Sequence, residues 1–468
     1  MEDVHEGKRG LTKNLKYFFG IGDFFFNTMT QVQDVYFNFF LTNIAMFGLD
    51  VVTFIQTATN TVIALISWIY GAIISGTKPM RWGRNRSWLI VVPWIVPFIY
   101  MFKFKVIGDG GGFTITLITG ASIVASILWN FSYVANLGLI NVVGKTPEER
   151  LQLSANRGAY NRASTITFSF MGLPLANLLA TVVGEENKFA ALAFTTGVMM
   201  AVGFFIHFKL SAGYESRETD AQAARANKAE KASIGGMLRS LFQNGPVLVL
   251  VIADTARWIA NFVIMGCLMY YFTYVAHNTG MQATYMLIAN SCCVLGALGC
   301  KAIGKRLGTR NTVIAGFFVL GGGLILARVF FQNPIAVIAC MAFAQMGYGT
   351  IYSLTPALFS DASIYAEWKT GEDASTWIMG LGNVPLNIAL MARGLIINGI
   401  LAMVGFSASI DPATASIGVQ AGISNAMLLV PGAIVLCGGL LLLFGFRIKA
   451  AQVTKMSEEI RQRRGIAR

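Results

Sequence analysis

Two apolar stretches of the sequence carry ionisable and amide side chains at a spacing suited to binding a solute. In the first stretch, Asp23, Asn27, Gln31 and Asp34 follow one another at intervals of three or four residues. That spacing places them on one face of a helix, and carboxylates within apolar helices normally face a cavity or a partner. We predict that this face binds a solute. Asp34 is the better candidate for a proton or a cationic group, because solvent at the helix start could explain Asp23.

The second stretch contains Asp254, Arg257, Trp258 and Asn261. Asp254 and Arg257 lie one turn apart, so they could form a structural pair in which each charge neutralises the other. Alternatively, the planar guanidinium of Arg257 could bind a carboxylate or a sulfonate while Trp258 stacks on a sugar ring. Both interpretations are kept as hypotheses.

Neutral hydrogen-bonding side chains recur at helical spacing in three further stretches. They are Asn130 and Tyr133, then Tyr348 and Tyr352, and then Trp377, Asn383 and Asn387. Hydrogen bonds between helices explain any single one of them as well as substrate contact does. The predicted site therefore depends on several polar faces meeting at one cavity.

The composition indicates that these stretches lie in a membrane. Of the 468 residues, 55% are hydrophobic and only 13% are charged, against roughly a quarter charged in soluble domains. The apolar residues form blocks longer than the roughly 20 residues that a helix needs to cross hydrocarbon, without the alternation of a barrel strand. We predict an all-α membrane protein of about twelve transmembrane helices.

Polar or glycine-rich breaks delimit the twelve predicted helices. These are 17–46, 51–76, 87–104, 113–142, 158–183, 189–210, 246–276, 281–303, 311–331, 334–358, 374–405 and 422–447. A glycine-containing basic sequence follows the second block at 76–86 and the eighth at 304–310, which indicates an internal repeat. We predict two six-helix halves, 1–210 and 241–448, joined by a cytoplasmic linker at 211–240 and followed by a basic cytoplasmic tail at 449–468.

Lysine and arginine collect in alternate loops, and short basic loops stay on the cytoplasmic side. This pattern predicts a multi-pass protein of the cell inner membrane with both termini in the cytoplasm. It also explains the net charge of +13 without a nucleic-acid partner, because the basic residues are spread over separate loops. The predicted partners are the lipid bilayer and a small polar solute, and we expect a monomer.

Sequence signatures of catalysis are missing. The chain has no HExxH, GxSxG or GxxxxGK[ST] sequence, and its six cysteines lack the spacing of zinc ligands or redox pairs. We therefore expect no enzymatic activity, no metal and no cofactor other than a coupling ion.

Five short motifs occur in a specific combination. They are Gly22-Asp23-Phe24, RWGR at 81–84, PEERLQL at 147–153 with Arg157 before the fifth block, YYFTYV at 270–275, and EWKTG at 367–371. Along nearly the whole chain they resemble the major facilitator superfamily, and within it the glycoside-pentoside-hexuronide:cation symporters, to which the melibiose carrier belongs. The resemblance implies the major facilitator fold, and it includes Arg157, which we predict to bind the substrate. Alternatively, Arg157 could extend into the cytoplasmic headgroups. The resemblance also implies a cytoplasmic gate, carried here by Arg81, Arg84, Arg150, Asp361 and Glu367.

The sequence departs from this family at the usual cation site. No acid lies between Val51 and Met80, where the symporters typically place carboxylates. Tyr133 stands where the melibiose carrier has an aspartate, and Asn387 where it has a lysine. Since hard cations favour charged oxygen ligands, we expect coupling to protons rather than sodium, or no coupling.

The resemblance and the polar faces together predict a transporter of a sugar, glycoside or sugar acid that works by alternating access. Two alternatives remain open. The chain could carry a non-sugar organic anion, or it could be a transporter-like sensor or scaffold that binds a ligand without moving it.

Overall fold

A computed structural model describes residues 11–66, 70, 73–74, 80–108, 111–144, 147–215, 244–370, 384–407, 409–448 and 450–463. The regular secondary structure of these residues is helical throughout. Contacts within the chain divide it into two compact units, Met1–Glu230 and Lys231–Arg468. The division falls within the stretch 211–240 for which the sequence predicts a linker.

The helices of the first unit precede residue 216. They are α1 (Lys13–Phe18), α2 (Ile21–Asn43), α3 (Leu49–Ile66), α4 (Arg84–Val91), α5 (Val96–Phe102), α6 (Gly112–Val143), α7 (Pro147–Val183) and α8 (Lys188–Leu210), with short 3-10 turns at Val92–Trp94 and Glu185–Asn187.

The second unit continues the same pattern. Its helices are α9 (Gly245–Tyr270), α10 (Met281–Leu307), α11 (Thr309–Val329), α12 (Pro334–Thr370), α13 (Val384–Met403), α14 (Ile417–Ser424), α15 (Val430–Gly445) and α16 (Ala450–Arg463). A π-helical turn at Tyr271–Val275 extends α9, another at Asn425–Leu429 joins α14 to α15, and a 3-10 turn covers Pro412–Thr414.

Ten helical stretches within the described residues are long and apolar enough to cross a membrane, and α4 with α5, bent by 44°, supplies an eleventh if the pair is one span. Helix α2 is less apolar than these stretches, because polar residues recur along one of its faces. Its 23 residues nevertheless give a length of about 34 Å. The protein is thus a multi-pass, all-α membrane protein, and the predicted fold class is confirmed.

Several predicted boundaries were wrong. Helix α7 begins at Pro147 instead of 158, so Arg157 lies inside this helix and not before it. Helix α12 continues to Thr370, well past the predicted end at 358. The third predicted helix is broken between α4 and α5, since Pro93 and Pro97 lack the amide hydrogen that a continuous helix requires.

Glycines allow two helices of the second unit to approach closely. A Cβ atom added at Gly296 of α10 would lie 2.0 Å from the carbonyl oxygen of Met346, and one added at Gly349 of α12 would lie 1.9 Å from that of Cys293. No side chain fits at either distance, so only glycine permits this contact. The contact fixes the part of α12 that carries Tyr348 and Tyr352.

Candidate functional site

A buried ion pair joins α2 to α7 in the first unit. Asp23 is 0% exposed and Arg157 is buried beside it. The Arg157 Nε donates to Asp23 Oδ2 at 2.6 Å, and its Nη2 pairs with the other carboxylate oxygen. Asn136 of α6 also donates, from Nδ2 to Asp23 Oδ2 at 3.1 Å. With Tyr133, these three residues are called the N-terminal cluster below.

Aromatic rings support the Arg157 guanidinium. Its central carbon lies 5.7 Å from the centre of the Tyr133 ring, a distance typical of a cation–π contact. Tyr133 in turn stacks on Phe26 of α2, with ring centres 4.6 Å apart. The cluster therefore draws on α2, α6 and α7, and it combines a carboxylate, a guanidinium, an amide and a phenol in a small buried volume.

The burial of Asp23 decides between the two explanations considered for it. Solvent at the helix start does not reach this carboxylate, so solvation is the wrong explanation. Because the bidentate guanidinium and the Asn136 amide satisfy the charge, the pair meets the requirement that buried ions be both paired and hydrogen-bonded. Asn136 itself was not singled out from the sequence.

The other residues of the α2 face have different surroundings. The Asn27 amide donates to the Asn161 carbonyl at 3.1 Å and to Thr165 Oγ1 at 3.0 Å, both on α7, so it links two helices. Gln31 is buried, and its Oε1 accepts no hydrogen bond from the described residues. Asp34 is half-buried, eleven positions after Asp23 on the same helix.

Three more predicted amides lie outside the two buried ion pairs. Asn130 donates to the Ser126 carbonyl of its own helix at 2.8 Å. Asn261 on α9 and Asn387 on α13 are half-buried. Trp377 and Asn383 lie outside the described residues.

The second unit holds a second buried ion pair, formed within α9. The Arg257 Nε donates to Asp254 Oδ1 at 2.7 Å, and both side chains are less than 5% exposed. The Arg257 Nη1 donates to the Tyr348 hydroxyl of α12 at 3.2 Å. The guanidinium is thus held from its own helix and from a neighbouring one.

Aromatic side chains surround this second guanidinium. The central carbon of Arg257 lies 4.3 Å from the Trp258 ring centre, 5.4 Å from that of Tyr348 and 5.6 Å from that of Tyr352. Trp258 also stacks on Phe262, with ring centres 5.5 Å apart. We call Asp254, Arg257, Trp258, Tyr348 and Tyr352 the C-terminal cluster.

The residues predicted to form a cytoplasmic gate occupy helix ends and loops. Arg81 is exposed, Arg84 begins α4, and Arg150 is exposed in the first turn of α7, where its Nε donates to the Gly144 carbonyl at 3.0 Å. Asp361 and Glu367 are half-buried near the end of α12. Their role as a gate stays a prediction.

Glu215, in the segment after α8, caps the start of α4 directly after the RWGR motif. Its carboxylate accepts hydrogen bonds from the backbone amides of Asn85 at 3.1 Å and Arg86 at 2.9 Å. These N–H groups lie in the first turn of α4, where the helix itself supplies no carbonyl partner for them. The preceding Gly83 has φ of +94°, and an added Cβ would lie 2.4 Å from Glu215 Cγ. Glu215 thus acts as an N-terminal cap supplied by the chain segment after α8.

Two buried basic residues were missed by the sequence analysis. Lys103 is 1% exposed, and its ammonium lies 4.1 Å from the Phe37 ring centre and binds Gln33. Arg393 is 5% exposed and lies 5.8 Å from the Phe262 ring centre. Arg393 could have been found, because it is the sole ionisable residue of α13.

Both polar clusters are buried among the helices of a multi-pass membrane protein. The sequence profile of the MFS/sugar transport protein family matches residues 18–450. The chain therefore belongs to this family, as the resemblance of its motifs implied.

Individual relatives and structures agree with this assignment. A candidate sulfoquinovose importer of Escherichia coli K12 is 25% identical over 338 residues, covering 72% of this chain and 69% of that protein. A candidate 2,3-dihydroxypropane-1-sulfonate exporter of the same strain is 25% identical over 264 residues, covering 54% and 55%. The crystal structure of a D-xylose-proton symporter shares the fold, with a TM-score of 0.62, 12% identity and coverage of 92% and 97%.

Proposed function

We propose that this protein transports an anionic sugar or sugar acid across the cell inner membrane by alternating access, without covalent chemistry. The observation that carries the proposal is the Arg257 guanidinium, which is fixed in place yet retains a donor for a ligand. Family membership supports the transport of a small polar solute, and the C-terminal cluster supports the anionic character of that solute.

The hydrogen bonds of Arg257 leave one nitrogen of its guanidinium available for a ligand. Nε is used by Asp254 and Nη1 by Tyr348, whereas Nη2 donates to no acceptor among the described residues. A guanidinium binds carboxylate and sulfonate oxygens through charge-assisted hydrogen bonds. Because Asp254 and Tyr348 fix its position, Arg257 would bind such a group with little loss of side-chain entropy.

The rings beside Arg257 suit the body of a sugar. Trp258 and Tyr352 meet edge to face, with ring centres 6.4 Å apart. An aromatic face can pack against the C–H groups of a pyranose, while the Tyr352 hydroxyl supplies a polar edge. A solute with one anionic end and one hydroxylated ring would use both parts of the cluster.

The N-terminal cluster supplies hydrogen-bonding groups for hydroxyls. Asp23 accepts, Arg157 donates and Asn136 does both. The Asn136 Oδ1 has no partner among the described residues, so an incoming hydroxyl donor would satisfy a buried acceptor. Because the Asp23–Arg157 pair itself joins α2 to α7, Asn136 is the group of this cluster that we propose for binding a hydroxyl.

The names of the two bacterial relatives support a sulfonate as the anionic group, since sulfoquinovose is a sulfonated sugar and 2,3-dihydroxypropane-1-sulfonate is a sulfonated diol without a ring. The second relative favours a further candidate function, the transport of a small sulfonate that is not a sugar. The two candidates differ in whether Trp258 packs against a ring.

We further propose that transport is coupled to protons or is uncoupled, and that both chain termini are cytoplasmic. The first point rests on the absence of acids between Val51 and Met80, and the second on the basic loops. Imposing a proton gradient and a sodium gradient separately on proteoliposomes tests the coupling. Strong stimulation by sodium alone would contradict it.

Uptake by proteoliposomes tests the main proposal. Labelled sulfoquinovose, glucuronate, 2,3-dihydroxypropane-1-sulfonate and glucose would be compared for the wild type and Arg257→Gln. We expect uptake of an anionic sugar that Arg257→Gln abolishes. Uptake of 2,3-dihydroxypropane-1-sulfonate alone would support the second candidate, and binding without uptake would identify a sensor or scaffold instead of a transporter.

A further inference from the structure

Helix α10 carries a basic pair at one end of its membrane-crossing stretch. The stretch covers Met281–Leu307, and Lys305 and Arg306 lie in its last turn. Both side chains are exposed. A shallow groove of about 440 Å³ lies beside them, and among the described residues it is lined by Leu298, Ala302, Lys305 and Arg306. One end of this groove, called the basic groove below, is therefore charged and the other is apolar.

The two basic side chains have no counter-charge among the described residues. Neither Lys305 nor Arg306 forms an ion pair or a side-chain hydrogen bond there. The sequence contains no aspartate or glutamate at positions 255–360, so neither α10 nor α11 supplies an acid. Asp361, the next acid along the chain, is half-buried on α12 and forms no ion pair with a described residue either. The positive charge of the pair is therefore available to an external anion.

Arg310, at the start of α11, has a structural role that the pair lacks. Its Nη2 donates to the Leu443 carbonyl at 2.6 Å, and its Nε donates to the carbonyl of Phe446. These contacts satisfy carbonyl groups at the C-terminal end of α15. A contact within the fold thus explains Arg310, whereas it does not explain Lys305 and Arg306.

Exposed apolar residues continue from the basic pair along one face of α10. Leu295, Leu298 and Ala302 are exposed and follow one another at intervals of three or four residues, which places them in one row on the helix. Leu298 is 73% exposed. From Leu295 to Lys305 the helix rises by about 15 Å, which is half of the roughly 30 Å thickness of the hydrocarbon core. The row is therefore about as long as one leaflet is thick.

We propose that the basic groove binds an anionic phospholipid, with its phosphate at Lys305 and Arg306 and an acyl chain along Ala302, Leu298 and Leu295. Phosphate oxygens accept charge-assisted hydrogen bonds from lysine and arginine. An acidic headgroup is favoured over a zwitterionic one, because the latter brings a cation of its own to a site that already holds two. This site lies outside the N-terminal and C-terminal clusters, so it goes beyond the proposed transport and does not depend on the solute.

Lipid binding to the purified full-length protein tests the site. Delipidated protein in detergent would be titrated with dioleoyl phosphatidylglycerol or with dioleoyl phosphatidylcholine, which have the same acyl chains, and native mass spectrometry would count the bound lipids. Two basic residues at a membrane surface should give about a thirtyfold preference for the anionic lipid. We expect this preference in the wild type and its loss in the double variant Lys305→Gln/Arg306→Gln.

A control matched in charge is the double variant Lys13→Gln/Lys455→Gln. It removes two exposed lysines that lie on different helices, α1 and α16, and it should keep the preference. Equal losses in both double variants would show attraction by net charge alone, and no preference in the wild type would show that the groove selects no anionic lipid. Displacement of the lipid by inorganic phosphate would show a site for the free anion. Each of these results would overturn the proposal.

Two further variants separate the groove from its charge and from its stability. Ala302→Trp fills the groove from an exposed position and keeps both charges, so it should reduce the bound phosphatidylglycerol to the level of Lys305→Gln/Arg306→Gln. Unchanged binding would overturn the site. The exchange Lys305→Arg/Arg306→Lys also keeps both charges and should keep the preference. Its loss would show that the pair acts through local structure and not through charge, which would contradict the proposal.

Discussion

The two buried ion pairs are built differently, and the difference separates a structural role from a binding role. Asp23 and Arg157 are 134 positions apart and join two helices through a bidentate contact. Asp254 and Arg257 are three positions apart and form a single hydrogen bond within one helix. Breaking the first pair affects the packing of the unit, whereas the second pair mainly orients a guanidinium.

The largest expected effect is on stability, from Asp23→Asn. This change leaves the Arg157 charge buried without its carboxylate, which typically costs about 3 kcal/mol or more. A large drop in the thermal unfolding midpoint should follow. Glu185→Gln is the control, because Glu185 pairs with Lys188 with its side chain 75% exposed, where such pairs contribute little. An unchanged midpoint in Asp23→Asn would show that the pair does not hold α2 to α7.

The next effect is on binding, from Arg257→Gln. Losing a charge-assisted hydrogen bond costs about 1.5–3 kcal/mol, so the affinity for an anionic sugar should fall about 10- to 100-fold. The unfolding midpoint should also fall, because Asp254 is left buried without its counter-charge. A variant that is as unstable as Asp23→Asn but binds normally would reverse the roles assigned to the two pairs.

A smaller effect on binding is expected from Tyr348→Phe. This variant removes the hydroxyl that accepts from Arg257 Nη1 while keeping the ring, which costs about 1 kcal/mol. The affinity for the anionic sugar should fall about fivefold, whereas that for glucose should not change. Equal weakening for both sugars would mean that the tyrosine contacts the sugar ring and does not position Arg257.

The smallest effect is expected from Asn27→Ala. Hydrogen bonds between membrane helices contribute about 0.6 kcal/mol on average, so the midpoint should fall slightly and the affinity should stay within about twofold. A large loss of affinity at constant stability would place Asn27 in contact with the substrate, as the sequence pattern predicted, and not between α2 and α7.

Residue spacing predicted the ion pair that lies within a single helix. The Asp254–Arg257 pair follows from an interval of three residues on a helix, and the structure contains it. The partner of Asp23 could not be read in this way, because α2 and α7 are brought together by packing and not by sequence proximity. The family motifs included Arg157, but they did not indicate its contact with Asp23, to which Asn136 also donates.

Single charges and prolines within apolar stretches indicate buried charges and helix breaks, but only some of them led to a prediction. Arg393 stands alone in an apolar helix, so its burial followed from the rule already applied to Asp34. Lys103 gave no such signal, because it lies at the end of a block where loop lysines are common. Pro93 and Pro97 indicated the break between α4 and α5, whereas the contact of Gly296 and Gly349 with opposing carbonyls could not be assigned from glycine content alone.

The reciprocal contact between α10 and α12 has a mechanical consequence. Each helix presents a glycine to a carbonyl of the other at two points that bracket Tyr348, so neither helix can slide along the other without a backbone collision. Any rotation of α12 must carry α10 with it. The Tyr348 hydroxyl therefore moves together with both helices. A displacement of α10 would change the hydrogen bond that orients Arg257.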